Sequence, residues 1–163
     1  MHADKKVLNI GCGRQILEGA ENLDRIPFEG VDKVWDLKDG LPYTDGQFDK
    51  VVANYVLCQI SSPEGLQSLL NDIWRVLKVN GWLELRVPNA NYPIAFQDPM
   101  DCKYFIPETF DYFNKDHYRY QAFRYGFKPW YMVTVEGDEK LLVKMRKSQN
   151  ELSNVQLDPI KRV

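Results

Sequence analysis

The sequence predicts an α/β protein with an open sheet that is parallel for most of its width, and three observations carry this prediction. Short apolar segments of strand length recur along the chain, one amphipathic helical segment lies between two of them, and the last two flank a short polar turn. Strands that alternate with a helix form parallel pairs, whereas a tight turn joins antiparallel strands. The length of 163 residues and the 44% hydrophobic content are typical of one globular domain.

The first two predicted strands are Lys5–Ile10 and Asn22–Asp24. Gly11 and Gly13 follow the first strand, where glycine lets the backbone bend sharply and approach a ligand closely. Only the segment Gly11–Glu21 separates the two strands. We therefore expect a loop there in place of a full crossover helix.

The next connection is also too short for a crossover helix. Residues 25–32 contain Pro27 and Gly30 and lead directly into a predicted third strand, Lys33–Leu37. The segment Lys38–Gln47 carries further glycine and proline and is predicted to be irregular. The first crossover helices of the sheet are therefore predicted to be missing or reduced.

One well-defined helix follows the fourth predicted strand, Phe48–Ala53. The run Ser61-Ser62-Pro63-Glu64 predicts its start, because serine caps a first turn and proline is tolerated within it. Its buried face is predicted from an apolar stripe with helical spacing, made of Leu66, Leu69, Leu70, Ile73 and Leu77. Asn80-Gly81 is predicted to end the helix, and Trp82–Val87 is predicted to be the fifth strand.

The part of the chain after the fifth strand is rich in aromatic residues. Residues 92–131 contain 14 of the 21 aromatic residues of the chain. Short helices are predicted over Ile106–Phe113 and 116–125. The strands Trp130–Val135 and Lys140–Arg146 are predicted to form an antiparallel hairpin.

These elements predict a single domain over residues 1–147. Within it, the aromatic-rich segment over about 89–128 is expected to form a cap or lid that excludes water from a site, although ordinary core packing explains part of its composition. Residues 148–163 are predicted to form a polar C-terminal tail.

Composition excludes several classes of function. The net charge of −2 gives no overall electrostatic reason to bind nucleic acid or an anionic membrane, so neither is expected as a partner. No apolar stretch approaches the ~18 residues of a membrane span, and no signal-peptide core is present at the N-terminus. The three cysteines are widely spaced and only two histidines are present, so we expect reduced thiols, a cytoplasmic location and no metal site.

Residues suited to a ligand gather at the ends of four predicted strands. Gly11–Gly13 follows the first strand, Asp24 ends the second, Asp36-Leu37 ends the third and Asn54-Tyr55 follows the fourth. Ligands of open α/β sheets bind outside the carboxyl ends of the strands. Asp24 suits the hydroxyls of a ribose, and Asp36 suits a purine amine with Leu37 against its ring. Each residue alone is also compatible with a turn or a surface acid.

An ordered set of motifs resembles the class I S-adenosylmethionine-dependent methyltransferases, and in particular their small, abbreviated members. The motifs are Leu8–Gly13, Asn22–Asp24, Val31–Leu37 with Leu41–Tyr43, Phe48–Ala53 and Arg75–Gly81. The resemblance extends from about residue 5 to residue 113. It implies a Rossmann-like, mostly parallel seven-stranded sheet in the order 3-2-1-4-5-7-6, with S-adenosyl-L-methionine as the cofactor.

The resemblance also implies the cofactor contacts. The glycine turn would lie under the methionine part, Asp24 would hold the ribose, and Asp36 and Leu37 would frame the adenine. The residues expected to bind the cofactor are Asn9, Gly11, Cys12, Gly13, Asp24, Arg25, Asp36, Leu37, Asn54 and Tyr55. Gln15 stands at the third glycine position of the nicotinamide-binding motif, which argues against an oxidoreductase.

The sequence departs from the family on the acceptor side, and the catalytic residues stay unassigned. Relatives commonly carry histidine and a Glu-His pair where this chain has Asn54–Ile60, and often Asp-Pro-x-His where it has Asp98–Asp101. Transfer from a sulfonium needs alignment and desolvation, and it needs a base only when the acceptor must lose a proton. The weak candidates for base or positioning group are Tyr55, Asp98, Asp101 and His117.

Two functions remain in view. The expected one is S-adenosylmethionine-dependent transfer of a methyl group to an unidentified, small-molecule acceptor. The alternative is a non-catalytic binding or assembly module that keeps the fold, with or without binding of the cofactor. The presence of Gly11, Asp24 and Asp36 favours the first.

Loops in place of crossover helices leave one face of the sheet without helices. Parallel strands are normally apolar and covered on both faces. We therefore expect this face to be buried by a second copy, by another protein or by the C-terminal tail, with a symmetric homodimer as the first choice.

Overall fold

The computed structural model of the chain describes residues 6–114 and 116–148, so the predicted tail lies outside the described residues except for Ser148. Seven strands form one sheet. They are, in chain order, β1 (Val7–Ile10), β2 (Ala20–Asp24), β3 (Lys33–Val34), β4 (Phe48–Asn54), β5 (Leu77–Pro88), β6 (Trp130–Glu136) and β7 (Lys140–Lys147).

The sheet has the order β3-β2-β1-β4-β5-β7-β6, which confirms the predicted topology. Neighbouring strands are parallel from β3 across to β5. The pairs β5–β7 and β6–β7 are antiparallel. The carboxyl ends of β1, β2, β4 and β5 therefore meet at one edge of the sheet.

Helices are few, as the short connections predict. The part of the chain that the structure describes contains the α-helices α1 (Pro63–Val76), which begins at the predicted serine cap, and α2 (Asp116–Arg124). The Ser62 Oγ accepts a hydrogen bond of 2.9 Å from the Gly65 amide. The other helical segments are 3₁₀ turns over Leu37–Asp39, Leu57–Gln59, Pro93–Phe96 and Pro107–Phe113. Within residues 6–114 and 116–148 no helix is long and apolar enough to span a lipid bilayer.

The predicted third strand, Lys33–Leu37, is too long. Only Lys33–Val34 pairs with β2, and Leu37 already begins a 3₁₀ turn. Asp36 is the N-cap of that turn, and its Oδ1 accepts a hydrogen bond of 3.0 Å from the Lys38 amide. Aspartate favours this local hydrogen bond over a place in a strand.

The predicted helix end at Asn80-Gly81 is also wrong. The helix ends at Val76, and Leu77 is extended and begins β5. Asn80 adopts a left-handed backbone conformation with a φ of 64° inside the strand, where the pairing with β4 is irregular. The Asn-Gly pair thus marks a bend in β5 and not a helix cap.

The two faces of the sheet differ sharply. We call one the covered face, because both α-helices and the 3₁₀ turn Pro107–Phe113 contribute to the same core as its side chains. Its strand residues are apolar and fully buried: Leu8, Ile10, Leu23, Val51, Ala53, Leu83, Leu85, Val87, Leu141, Val143 and Met145.

The opposite face, which we call the open face, has no helix packed on it within the described residues. Along β5 the half-buried Trp82, Glu84 and Arg86 alternate with buried leucine and valine. The Lys50 ammonium lies 2.9 Å from a carboxylate oxygen of Glu84 on this face. On β4, β5 and β7 the open face therefore mixes charged residues with the apolar Val52 and Leu142 and is not the continuous apolar surface that was expected, and a partner covering this face stays a prediction.

Two buried asparagines hold the loops that replace the first crossover helices. The Asn9 side-chain amide donates to the Gln15 carbonyl at 2.8 Å and to the Asn22 Oδ1 at 2.9 Å. The same Asn22 oxygen accepts from the Leu17 amide at 2.9 Å. Asp32 links the second loop, because its Oδ2 accepts from the Asn22 backbone amide at 2.7 Å and from the Asn22 side-chain amide at 3.2 Å. Hydrogen bonds thus fasten both loops to the open face near β1 and β2.

Candidate cofactor and acceptor site

The glycine turn after β1 is the tightest point of the strand-end edge. Gly11 and Gly13 have φ values of +57° and +52°, which side chains rarely adopt. A Cβ on Gly11 would lie 2.6 Å from the Val56 Cγ2, so the turn packs directly against the chain leaving β4. A Cβ on Gly13 would meet nothing within 4 Å. The space beside Gly13 is therefore open to a ligand.

Asp24 is fixed at the end of β2, beside the glycine turn. It is only 9% exposed. One carboxylate oxygen accepts a hydrogen bond of 2.8 Å from the Gly13 amide, and the other accepts one of 2.9 Å from the Ile26 amide. A carboxylate oxygen can accept a second hydrogen bond. Asp24 can therefore hold two neighbouring hydroxyls while it stays bound to the backbone.

Three other residues that were predicted to bind the cofactor, Cys12, Arg25 and Asn9, lie around this turn. Cys12 is buried, and burial together with the charge of Asp24 raises the pKa of its thiol. It contributes its backbone, whose amide donates to the Leu23 carbonyl at 3.1 Å. Arg25 is exposed beyond Asp24. The Asn9 side chain supports the turn from beneath, and a direct contact with a ligand stays a prediction for all three residues.

Asp36 and Leu37 lie where the chain leaves β3, as predicted. One oxygen of Asp36 is used to cap the 3₁₀ turn. Its other oxygen remains available to an amine. Leu37 is half-buried and packs against the main core.

The chain leaving β4 adopts a strained conformation. Tyr55 has a φ of 58°, which is unusual for a residue other than glycine, and such strain collects at functional sites. Its amide donates to the Arg86 carbonyl at 2.8 Å, and the Arg86 guanidinium donates to the Asn54 Oδ1 at 3.1 Å. Arg86, at the end of β5, was not predicted to be a site residue. The sequence feature that could have indicated Arg86 is a charged side chain near the carboxyl end of the predicted fifth strand.

The acceptor side brings Asp101 to the strand ends. Asp101 is 9% exposed. The Cys102 and Lys103 amides donate to the Cys58 carbonyl at 2.8 and 2.9 Å, which ties this segment to the chain leaving β4. Burial raises the pKa of the Cys58 thiol, and a hydrogen bond with Asp101 raises it further. Both effects favour the neutral thiol over the thiolate, so Cys58 is not proposed as a nucleophile.

The remaining catalytic candidates are Asp98 and His117. Asp98 lies on an exposed turn, where its Oδ1 accepts a hydrogen bond of 2.8 Å from the Met100 amide. His117 belongs to α2, but its side chain lies outside the described part of the structure. In residues 6–114 and 116–148 no group of three histidine, cysteine, aspartate or glutamate side chains is arranged to hold a metal ion.

An open sheet with a glycine turn after the first strand and an acid after the second is the architecture of a nucleotide-binding α/β enzyme. The chain belongs to the methyltransferase-domain family, whose sequence pattern matches residues 2–131. With its fold and strand order, this makes it a class I S-adenosylmethionine-dependent methyltransferase family member. No curated protein matches the chain by sequence.

Solved structures share the fold at low sequence identity. A SAM-dependent methyltransferase from Archaeoglobus fulgidus is 18% identical, with a TM-score of 0.64 over 88% of this chain and 86% of that one. A Burkholderia thailandensis 1,6-didemethyltoxoflavin-N1-methyltransferase, with its substrate and S-adenosylhomocysteine bound, is 14% identical, with a TM-score of 0.57 over 88% and 71%.

A third similar structure contains two proteins. It is the complex of the Haloferax volcanii Trm112 methyltransferase activator with the protein it binds, to which this chain is 14% identical, with a TM-score of 0.56 over 88% of this chain and 83% of that one. At these identities the likeness shows the fold.

Proposed function

We propose that the protein transfers a methyl group from S-adenosyl-L-methionine to a small-molecule acceptor. The observation that carries this proposal is the Asp24 carboxylate, held by the Gly13 amide at the point where β1 and β2 end. A ribose placed there would lie over the turn, with its hydroxyls on Asp24. The residues fit this cofactor, since the space beside Gly13 is open.

The remaining cofactor contacts follow from this placement. We propose that the glycine turn lies under the methionine part, that Asp36 and Leu37 frame the adenine, and that Asn54 and Tyr55 border the reacting end. The Archaeoglobus fulgidus and Burkholderia thailandensis structures support the cofactor, because both proteins are named as methyltransferases and one holds its demethylated cofactor product.

The chemistry asks the protein mainly for alignment and exclusion of water. When bound, the cofactor supplies a methyl group on a positively charged sulfur, which is itself the leaving group. Holding an acceptor in line can contribute roughly 7–11 kcal/mol. We propose Tyr55 as the positioning hydroxyl and Asp101, Asp98 or His117 as the group that takes a proton when the acceptor carries one.

We further propose one domain over residues 1–147, whose segment 89–128 caps the acceptor side. A cytoplasmic location fits the three free cysteines Cys12, Cys58 and Cys102. A partner protein is supported by the Haloferax volcanii complex, and we propose that it covers the open face. A homodimer is one form of this proposal, although two copies would bring like charges together there.

Product formation tests transfer. The protein is incubated with S-adenosylmethionine and pooled small metabolites, and S-adenosylhomocysteine is measured by mass spectrometry. We expect formation that depends on the pool and is lost in Asp24→Asn, which keeps the size of the side chain and removes its charge. Cofactor binding without transfer to any pool would favour the non-catalytic module.

A further inference from the structure

The open face carries basic and aromatic side chains in alternation across four adjacent strands. Lys50 of β4 pairs with Trp82 of β5, Trp82 pairs with Arg146 of β7, and Arg146 pairs with Tyr131 of β6. Residues directly opposite one another on neighbouring strands point to the same face of a sheet. The four side chains therefore form one continuous row, which we call the basic-aromatic row.

The row is held in place by its own contacts. The Arg146 guanidinium carbon lies 5.4 Å from the centroid of the Trp82 ring and 5.5 Å from that of the Tyr131 ring. Its Nε donates to the Asn80 carbonyl at 3.2 Å. The Tyr131 hydroxyl is 3.1 Å from the Asn80 Oδ1. Both rings are thus oriented in advance, and both are only half-buried.

The open face from β4 to β7 carries a net positive charge, and beside the row Lys50, Lys144 and Arg146 stand against Glu84. On β4 to β7 the open face carries five basic and two acidic side chains, a net charge of +3, whereas the whole chain carries −2. The basic residues are Lys50, Arg86, Lys140, Lys144 and Arg146, and the acidic ones are Glu84 and Glu136. The expectation of no nucleic-acid partner rests on the total charge, which conceals this local excess.

We propose that the basic-aromatic row binds single-stranded nucleic acid. Bases would stack on Trp82 and Tyr131, and phosphates would contact Lys50, Arg146 and the neighbouring Lys144. Aromatic rings for bases and a positively charged track for the backbone are what single-strand binding sites combine. A second copy of this chain fits less well, because two positive faces repel. An acidic protein would match the charge without making use of alternating rings.

The row is separate from the proposed transfer site. Lys50 lies four residues before Asn54, the last residue of β4, and Trp82 lies four residues before Arg86, the partner of Asn54 on β5. At about 3.3 Å per residue, the distance along the sheet is roughly 13 Å. Nucleic-acid binding can therefore be measured without methyl transfer and does not depend on the proposed acceptor.

The test is fluorescence anisotropy of the full chain with a labelled oligothymidylate of about twelve nucleotides, over a series of salt concentrations. We expect Trp82→Leu and Tyr131→Leu each to weaken binding about tenfold, and Trp82→Phe to retain it because the ring is kept. We expect Lys50→Gln and Arg146→Gln each to reduce the salt slope by about 0.7. The matched control is Lys38→Gln, an exposed lysine away from the row, which should change neither quantity.

Three results would overturn the proposal. The first is the absence of saturable binding at low salt. The second is equal binding of inorganic polyphosphate with no loss in Trp82→Leu, which would indicate a surface for an acidic protein. The third is binding that appears only after residues 149–163 are removed, which would make the tail the occupant of this face.

Discussion

The covered and open faces of the sheet differ in how their side chains are buried. On β5, Leu83, Leu85 and Val87 point to the covered face and are fully buried. The residues between them, Trp82, Glu84 and Arg86, point to the open face and stay half-buried. The alternation of buried and half-buried residues along β5 therefore shows which face of the sheet is packed against helices.

The open face also differs along its width. Near β1 and β2, loops lie on it and are fastened by Asn9 and Asn22, which are 2% and 3% exposed. From β4 to β7, charged and aromatic side chains take over. A methyltransferase sheet can thus lose its first crossover helices when amide hydrogen bonds and surface charge replace an apolar interface.

The largest effect is expected from truncating a side chain on the covered face. Leu85→Ala should lower the free energy of unfolding by about 4 kcal/mol, because it leaves a cavity beneath the helices. Urea denaturation measures this change. On the open face, Lys144→Ala should stay within about 0.5 kcal/mol of the wild type. Equal losses from the two variants would show that the open face is packed in the same way.

The second largest effect is expected at the buried pair Asn9 and Asn22, which we call the asparagine clamp. Asn22→Ala removes the acceptor of the Leu17 amide and of the Asn9 side chain, and it leaves the Asn9 amide buried beside the gap, which should cost about 3 kcal/mol. The Leu17 amide should also exchange its hydrogen faster, as measured by hydrogen-exchange mass spectrometry. Asn91→Ala, at an exposed asparagine, is the matched control and should change neither. Unchanged protection at Leu17 would contradict the clamp.

Substitutions at Gly11 and Gly13 should distinguish a glycine that packs against the protein from one that borders the space for a ligand. Gly11→Ala should destabilise the protein by about 2 kcal/mol, because of its backbone conformation and the contact with Val56. Adding Val56→Ala to Gly11→Ala should relieve the contact with the new methyl group. Gly13→Ala should cost less stability and should impair cofactor binding instead. Thermal unfolding and calorimetry report the two quantities, and identical behaviour of the two variants would refute this assignment.

The smallest effect concerns a buried lysine on the covered face. Lys147 is 7% exposed, donates to the Leu77 carbonyl at 2.7 Å and lies 4.0 Å from the centroid of the Trp74 ring. Burial lowers the pKa of Lys147 from its usual 10.5. The unfolded chain then binds more protons between the two pKa values, so stability should rise with pH up to 10.5. In Lys147→Met this rise should be smaller, and an unchanged pH profile would contradict it.

The positions of the glycine turn and of Asp24 at the strand ends were the most predictable part of the molecule, whereas their contacts with a ligand stay a prediction. Gly11 and Gly13 follow one apolar strand and Asp24 ends the next. Strand length and glycine are features that the local sequence shows directly. The strand order came from the resemblance of several motifs taken together. Two asparagines inside predicted strands were a local signal of the clamp, but their partners depend on how the loops fold back.

The predictions that were wrong concern places where contacts distant in sequence, or the capping of a turn, determine the local structure. The end of α1 depends on Lys147, which binds the Leu77 carbonyl from 70 positions away. The third strand stops early because Asp36 caps a turn. Arg86 joins the site only when β5 lies beside Asn54. The apolar open face was inferred from a general rule about parallel sheets, although Glu84 and Lys144 alternate with apolar neighbours in the sequence.

The most direct test of the central claim is calorimetric titration of the full chain with S-adenosylhomocysteine. We predict micromolar binding at one site, lost in Asp24→Ala and weakened in Asp24→Asn, with thermal unfolding used to verify that both variants fold. Lys144→Gln on the open face should bind as the wild type does. No binding to a folded wild-type chain, or equal binding by the Asp24 variants, would contradict a cofactor site at this edge of the sheet.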